Sequence, residues 1–269
     1  MPRDRLYRVE AIVLKRSDFG EADRLLTLYT PDHGKIRAIA KGARKPSSRK
    51  SGHVELFAHT ALMLAKGRQL DIITQADTLD TFVALQKNLE RLGHAYYLAE
   101  LVDRFVEEAN ENRPLFSLLL DALNWLGDDL VDPLLLARYF ELHLLQHVGY
   151  RPQLFHCVNC GKEIEPIDNC FSVEAGGIID PNCMQTEREK LPEHGRDSLP
   201  ISLNALKVLR FLQTREWVTV QALRLNADVH AEVETLMQRY IAHHLERNLK
   251  SVEFLKELRQ PFPSLVSRD

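Results

Sequence analysis

The sequence predicts an α+β multidomain architecture: a small N-terminal β-barrel, then an α-helical domain carrying an inserted zinc-ribbon-like segment. Three observations lead there. From Tyr7 to about Thr78 the apolar residues alternate or come in short runs separated by turn residues. Beyond Asp80 they recur every three or four positions, and all four cysteines fall between Cys157 and Cys183. At 269 residues the chain can build more than one core. The expected boundaries are 1–80 for the barrel, 81–153 and 185–258 for the two parts of the helical domain, 154–184 for the insert and 259–269 for a tail.

The barrel is read strand by strand. Tyr7–Lys15 is the first, followed by a polar turn through Gly20, and Arg24–Thr30 is the second. Pro31-Asp32-His33-Gly34 is turn chemistry. Lys35-Ile36-Arg37-Ala38-Ile39 is the third strand, with Lys35 and Arg37 assigned to one face and the two isoleucines to the other. Val54–Leu64 and Gln69–Ala76, around Lys66-Gly67-Arg68, supply two more. Five short strands suit an SH3-like barrel and an OB-fold equally well.

Between the third and fourth strands lies Lys41-Gly42-Ala43-Arg44-Lys45-Pro46-Ser47-Ser48-Arg49-Lys50, with five basic residues and no acidic one. Such a stretch is expected to be a mobile loop whose positive field suits a polyanion; a plain solvated loop is the alternative. The charge distribution favours the first. Residues 1–50 carry 13 Lys/Arg against 6 Asp/Glu, whereas residues 81–150 carry 5 against 11, although the whole chain is only −3. Lys35, Arg37, Lys41, Arg44, Lys45, Arg49 and Lys50 are therefore the candidate phosphate contacts. Tyr7, Phe19, Tyr29 and Phe57 are the nearby rings on which bases could stack, although most suit a core better.

In the helical region Phe82, Leu85, Leu89, Leu92, Tyr96, Ala99, Val102 and Phe105 form one stripe, read as one long helix. Asn112-Arg113-Pro114 opens a second helix, to about Leu126. Asp132-Pro133, an N-cap followed by proline at the first helical position, opens a third that stops at Gly149. Thr186 to Ser198 reads as loop or linker, and helices resume near Leu203 and Asp228.

Cys157-Val158-Asn159-Cys160-Gly161 has the spacing of a zinc knuckle, because two thiolates two residues apart can reach one tetrahedral ion. A hairpin about Glu174-Ala175-Gly176-Gly177 would bring up Asp180-Pro181-Asn182-Cys183, where an aspartate occupies one expected cysteine position. Asp180 can ligate zinc through oxygen; Cys170, placed opposite Pro181 by folding the hairpin at its glycines, is the alternative fourth ligand. One zinc ion on Cys157, Cys160, Cys183 and Asp180 or Cys170 is expected, and a lapsed site of free thiols is the competing reading.

Other chemistry is poorly supported. No G-x-x-x-x-G-K-[ST] stretch occurs, so no nucleotide cofactor is expected. Asp18, Glu21, Asp23 and Asp32 do not form a paired-metal constellation, and Glu21-Ala22-Asp23-Arg24 looks like a turn closed by ion pairs. His143 and His147 lie four apart with no further ligand at a matching offset, which favours a buried or partner-facing pair. The chain does not read as an enzyme. A metal-dependent nucleic-acid-processing enzyme and an RNA-binding factor built from a barrel and a ribbon remain as alternatives. The charged start Met1-Pro2-Arg3-Asp4-Arg5 precedes no long apolar run, so a cytoplasmic protein without a membrane partner is expected.

Several stretches together carry a resemblance: Glu21-Ala22-Asp23-Arg24-Leu25-Leu26-Thr27-Leu28-Tyr29-Thr30, Gly34-Lys35, Lys41-Gly42-Ala43-Arg44-Lys45-Pro46, Cys157-x-x-Cys160-Gly161, Phe171-Ser172 with Gly176-Gly177, and Leu249-Lys250-Ser251-x-x-Phe254-Leu255. In this order the chain resembles the RecO family of bacterial DNA repair proteins, the recombination mediators. The resemblance implies an OB-fold for the barrel, a helical domain and a zinc ribbon set among its helices. It implies binding of single- and double-stranded DNA, strand annealing without ATP, and loading of recombinase with RecR and the single-stranded DNA-binding protein, at the nucleoid. Asp180 departs from the complete ribbon of the family, where cysteine is expected.

Overall fold

In the computed structural model of the chain, residues 5–190, 198–245 and 249–259 are described. The N-terminal strands are β1 (Leu6–Phe19), β2 (Asp23–Thr30), β3 (Gly34–Ala40), β4 (His59–Ala65) and β5 (Asp71–Asp80). They close in the order β1-β2-β3-β5-β4, with β4 returning to β1. Neighbours are antiparallel except β3 and β5, which pair in parallel at Ala38–Asp71 and Ile39–Ile72. This is an OB-fold, which removes the SH3-like alternative.

β1 is long enough to serve two neighbours. Leu6–Ile12 pairs with β4, Ile12–Phe19 pairs with β2, and a bulge between Val13 and Lys15 bends the strand between the two registers. Small and branched residues fill the narrow interior: Val9, Ala11, Val13, Leu26, Leu28, Ala38, Leu62, Leu64 and Ile73.

Two details of the expected strands are corrected. Strict alternation puts Ile39 on the side of Lys35 and Arg37, while Ile36 packs against the barrel core with Ala38 and Ala40. Residues Val54 to Ala58 are not strand: Ser51–Val54 is a 3-10 turn and Phe57 has a left-handed backbone (φ 64°), so β4 starts only at His59.

The expected first helix is interrupted. A short 3-10 segment, Val83–Lys87, precedes Asn88, whose extended backbone and side chain cap α1 (Leu89–Phe105) by accepting from the N–H groups of Glu90 and Arg91. Phe82 and Leu85 still join the core, so the stripe marked burial correctly but not helix continuity. α2 (Arg113–Leu126) and α3 (Pro133–His147) start as their cap residues indicate: Asn112 accepts from Leu115 N–H, and Asp132 accepts from Leu134 and Leu135. Further along come β6 (Asn169–Ser172), β7 (Gly177–Ile179), α4 (Pro181–Lys190), β8 (Ser198–Ile201), α5 (Leu203–Thr214), α6 (Trp217–Val220), α7 (Ala227–Leu245) and α8 (Lys250–Arg259). α4 replaces the start of the expected linker; residues 191–197 of it, and 260–269 of the expected tail, lie outside the described residues.

The helical core holds a buried polar group. Glu141, fully buried on α3, accepts from Tyr97 Oη and pairs with Arg138, which also faces Glu234. Burial, opposed by the Arg138 charge, pushes the Glu141 carboxyl up to about 7.

The barrel keeps its own interior core, and its outer face adds to the core of the helices. Ile12, Leu14, Tyr29 and Phe57 pack with the helical residues, not with the barrel interior. Tyr29 Oη donates to the Asn112 carbonyl at 3.3 Å, and Ala109 N–H donates to the Lys35 carbonyl at 3.0 Å. Gly34 makes this approach possible: it has φ 59°, and a Cβ there would stand 2.2 Å from the Asn110 carbonyl oxygen.

Candidate nucleic-acid interface and metal centre

The basic stretch is a folded loop with its own contacts to the barrel. Ala43 at its centre is completely buried in the barrel core. Gly42 N–H donates to Asp23 Oδ1 at 2.7 Å, Arg44 N–H donates to the Ala22 carbonyl at 2.9 Å, and turns close from Lys45 to Gly42 and from Ser48 to Lys45. The Glu21–Arg24 segment thus docks the loop by backbone contacts and an aspartate acceptor. Its arginine pairs elsewhere, with Glu55 at 2.6 Å.

This pinning sorts the candidate cations. Lys41, Arg44, Lys45 and Arg49 are exposed, and among the described residues Lys41, Lys45 and Arg49 form no ion pair. Arg44 meets Asp18 at 3.3 Å. Lys50 is half-buried and its amine donates to the Ile73 carbonyl at 3.1 Å. Lys35 and Arg37 lie apart from the loop and face the helices. Lys35 Nζ reaches Asp103 Oδ1 at 3.4 Å, and Arg37 Nε reaches Glu108 Oε1 at 2.9 Å. The acidic helical domain therefore neutralises one side of the barrel and leaves the loop side positive. Of the four rings, Tyr29 and Phe57 are buried in the domain junction and Tyr7 is half-buried, its hydroxyl donating to Asp71. Phe19 stays 44% exposed, at the β1–β2 tip against which the loop docks.

The second cluster is built by the ribbon. Cys157 N–H donates to the Lys162 carbonyl at 2.8 Å and Gly161 N–H returns to the Cys157 carbonyl at 2.9 Å, with Gly161 at φ 74°. This tight turn aims both knuckle thiols one way. The hairpin β6–β7 lies under it: Val158 N–H donates to the Ile178 carbonyl, and Gly177 has no room for a side chain, since a Cβ would sit 2.5 Å from the Gln153 carbonyl oxygen. β8 pairs with β6 to complete a three-stranded sheet that the sequence did not reveal, because Ser-Leu-Pro-Ile is too short to show a period.

One ligand atom from each of Cys157, Cys160, Asp180 and Cys183 lies within 4.8 Å of the others. A tetrahedral ion with metal–sulfur bonds of about 2.3 Å needs donor separations of about 3.7 Å, which this cluster can meet. Asp180 caps α4: its Oδ1 accepts from Asn182 and Cys183 N–H, both at 3.0 Å, and its Oδ2 lies 3.3 Å from Cys160 Sγ. The Cys183 N–H, with the neighbouring thiols, holds the Asp180 carboxyl well below the usual range, and the Asp180 hydrogen bond raises the Cys183 thiol. Cys170 is corrected out of the ligand set. It pairs with Ile179, not Pro181, and does not belong to the cluster. Three thiols and a carboxylate form a donor set that could hold a metal ion, with four protein ligands and no open position.

The histidine pair does not make a second centre. His143 Nε2 hydrogen-bonds the Leu212 carbonyl at 3.0 Å, and burial lowers both His143 and His147. No helix among the described residues is long and apolar enough to cross a membrane.

Comparisons with known proteins cover nearly the whole chain. Residues 3–82 match the family profile described as Recombination protein O N terminal, and residues 86–253 match Recombination protein O C terminal. The chain is 48% identical over 258 residues to a DNA repair protein RecO of Roseiflexus sp. (strain RS-1), covering 96% of this chain and 88% of that one. It is 36% identical over 252 residues to a DNA repair protein RecO of Dehalococcoides mccartyi (strain ATCC BAA-2266 / KCTC 15142 / 195), covering 94% and 96%. A DNA repair protein RecO of Pelotomaculum thermopropionicum is 37% identical over 257 residues, covering 95% and 96%.

Proposed function

The chain belongs to the RecO family of DNA repair proteins, and on that premise we propose that it is a recombination mediator that anneals complementary strands without ATP and helps load recombinase onto single-stranded DNA. The observation that carries the reading is the row of exposed cations, Lys41, Arg44, Lys45 and Arg49, held on a pinned loop at the rim of an OB barrel. Such a row contacts backbone phosphates and reads no sequence. Two complementary strands repel each other, and neutralising their phosphates on one surface lowers that barrier with no bond made or broken. Lys50 belongs at the end of the same row; Lys35 and Arg37 serve the domain junction instead. RecR and the single-stranded DNA-binding protein are the expected partners, and the cytoplasm, at the nucleoid, is the place where they meet.

Cys157, Cys160, Cys183 and Asp180 would hold one zinc ion, which supplies a cross-link between the knuckle and the start of α4 and no reaction chemistry, because all four positions are filled by protein. The residues do the rest: Gly161 turns the knuckle and Asp180 caps the helix.

The test is strand annealing with and without ATP, comparing the wild type with a variant in which Lys41, Arg44, Lys45, Arg49 and Lys50 are all changed to glutamate. ATP-independent, steeply salt-sensitive annealing that is largely lost in the variant supports the proposal. Unchanged annealing in the variant overturns the loop as the site. A preference for RNA over DNA of equal length would favour the RNA-binding reading.

A further inference from the structure

We infer that the path of a bound single strand continues from the basic loop along β1 into the groove between barrel and helices, where Tyr96 and Phe254 stack its bases. This rests on the nucleic-acid reading of the loop. The groove, about 720 Å³ in volume, has Leu14, Leu56 and Leu92 in its wall, and Lys15 and Lys250 among its lining residues.

The rings are the first argument. An OB barrel that binds single strands presents aromatic faces beside cations, yet Tyr29 and Phe57 are buried here. Among the described residues the exposed large side chains include the rings of Phe19, Tyr96, Tyr150 and Phe254. Phe19 ends β1, and Tyr96 and Phe254 line the groove beside it. Phe57 meets the Tyr96 ring at 5.0 Å and 82°, which fixes its orientation while leaving it 45% exposed.

Charge is the second. Glu100 and Asp103 also line the groove, but both are engaged. Glu100 accepts from Ser251 Oγ and from the N–H groups of Lys250 and Ser251, and Asp103 pairs with Lys35. Lys15 and Lys250 form no ion pair among the described residues, so the cations are the unanswered charges. The third argument is continuity. Lys15 and Arg16 line the groove from β1, the strand that ends at the Phe19 tip, and Glu55 joins Arg16 to Arg24 just before Leu56 in the groove wall. A duplex keeps its bases inside, so this groove suits a single strand and not a double one.

The experiment uses the full chain and oligothymidylates of about 6 and about 20 nucleotides, one within and one beyond the roughly 4–16 nucleotides that an OB fold covers. Lys15→Glu/Lys250→Glu should weaken the longer strand by at least about tenfold and leave the short one within about twofold, since only the longer strand reaches past the loop. Lys41→Glu/Lys45→Glu/Arg49→Glu should weaken both. Photocrosslinking of a 5-iodouracil-substituted strand to the wild type should label Tyr96 or Phe254, which needs no variant to fold. Equal binding of the longer strand by the groove variant, or labels confined to barrel residues, would overturn the inference. So would protection of Tyr96 by an acidic peptide with no effect of DNA, which would assign the groove to a protein partner. If instead the loop variant binds the short strand as the wild type does, it is the loop reading that fails.

Discussion

Asp180 and Cys160 meet at 3.3 Å across the ribbon through one carboxylate oxygen, while the other oxygen caps the helix that carries Cys183. One side chain therefore serves both a helix start and a cluster of thiols. Asp180→Asn keeps a cap acceptor but removes the anionic donor, and metal affinity is expected to fall more than about tenfold by chelator competition. Asp180→Ala loses both roles, and without metal it should be less stable than Asp180→Asn by about 1 kcal/mol in denaturant melts.

Zinc bound at the Cys157–Cys160–Asp180–Cys183 cluster is expected to raise the melting temperature without touching the loop, and its removal to reverse that. Binding free energy at such a centre is folding free energy, and the cysteines lie in a different domain from Lys41–Lys50. Calorimetry before and after chelation should show the shift, with short-strand affinity unchanged within about twofold. Loss of both together would tie the ribbon to the DNA surface.

Lys45 and Lys35 are expected to behave oppositely, although both are lysines of the same barrel. Lys45→Met should reduce the slope of log affinity against log salt by about 0.7, the value for one phosphate contact on a single strand. Lys35→Met should leave that slope alone and cost about 1 kcal/mol or more of stability, since it strips Asp103 of its partner. Salt titrations and denaturant melts of the two variants separate the effects.

Gly34→Ala is expected to destabilise the protein by about 2–4 kcal/mol, from a left-handed backbone and a methyl group driven at the Asn110 carbonyl. Gly20→Ala shares the positive φ but meets nothing within 4 Å, so it should cost clearly less. Equal midpoints for the two would remove the close approach as the cause.

Glu141 sets a pH dependence with a definite sign. Its folded pKa is raised to about 7 from an ordinary 4.5, so between these values the native state holds a proton that the unfolded chain has lost. Its contribution to stability is fully present below about 4.5 and declines as pH rises towards 7. Glu141→Gln should flatten that part of the stability profile, measured as denaturant midpoints from pH 4.5 to 8.

The sequence disclosed features that depend on neighbours along the chain. Asp132-Pro133 and Asn112 marked their helices because capping is local, and the Cys157–Cys160 knuckle declared itself by spacing. Features set by contacts across space were hidden. Asn88 breaks a stripe whose apolar period runs on regardless, because Phe82 and Leu85 are buried either way. Lys35 looked like part of the basic loop until Asp103, 68 residues later, was seen to hold it. The competition between Cys170 and Asp180 turned on hairpin register, which one residue of slip reverses. The loop's order was hidden as well, since a single alanine among charges gives no sign that it is a core residue.

That alanine has a consequence for how a strand is let go. With Ala43 sealed in the barrel, the backbone that carries the four exposed cations is anchored like the spine of a comb. Arg44 shares its charge with Asp18, so on the proposed reading Lys41, Lys45 and Arg49 would give the shallow, salt-screened grips. On the proposed reading, a strand held this way would leave one phosphate at a time, and a newly formed duplex would depart without any part of the loop refolding.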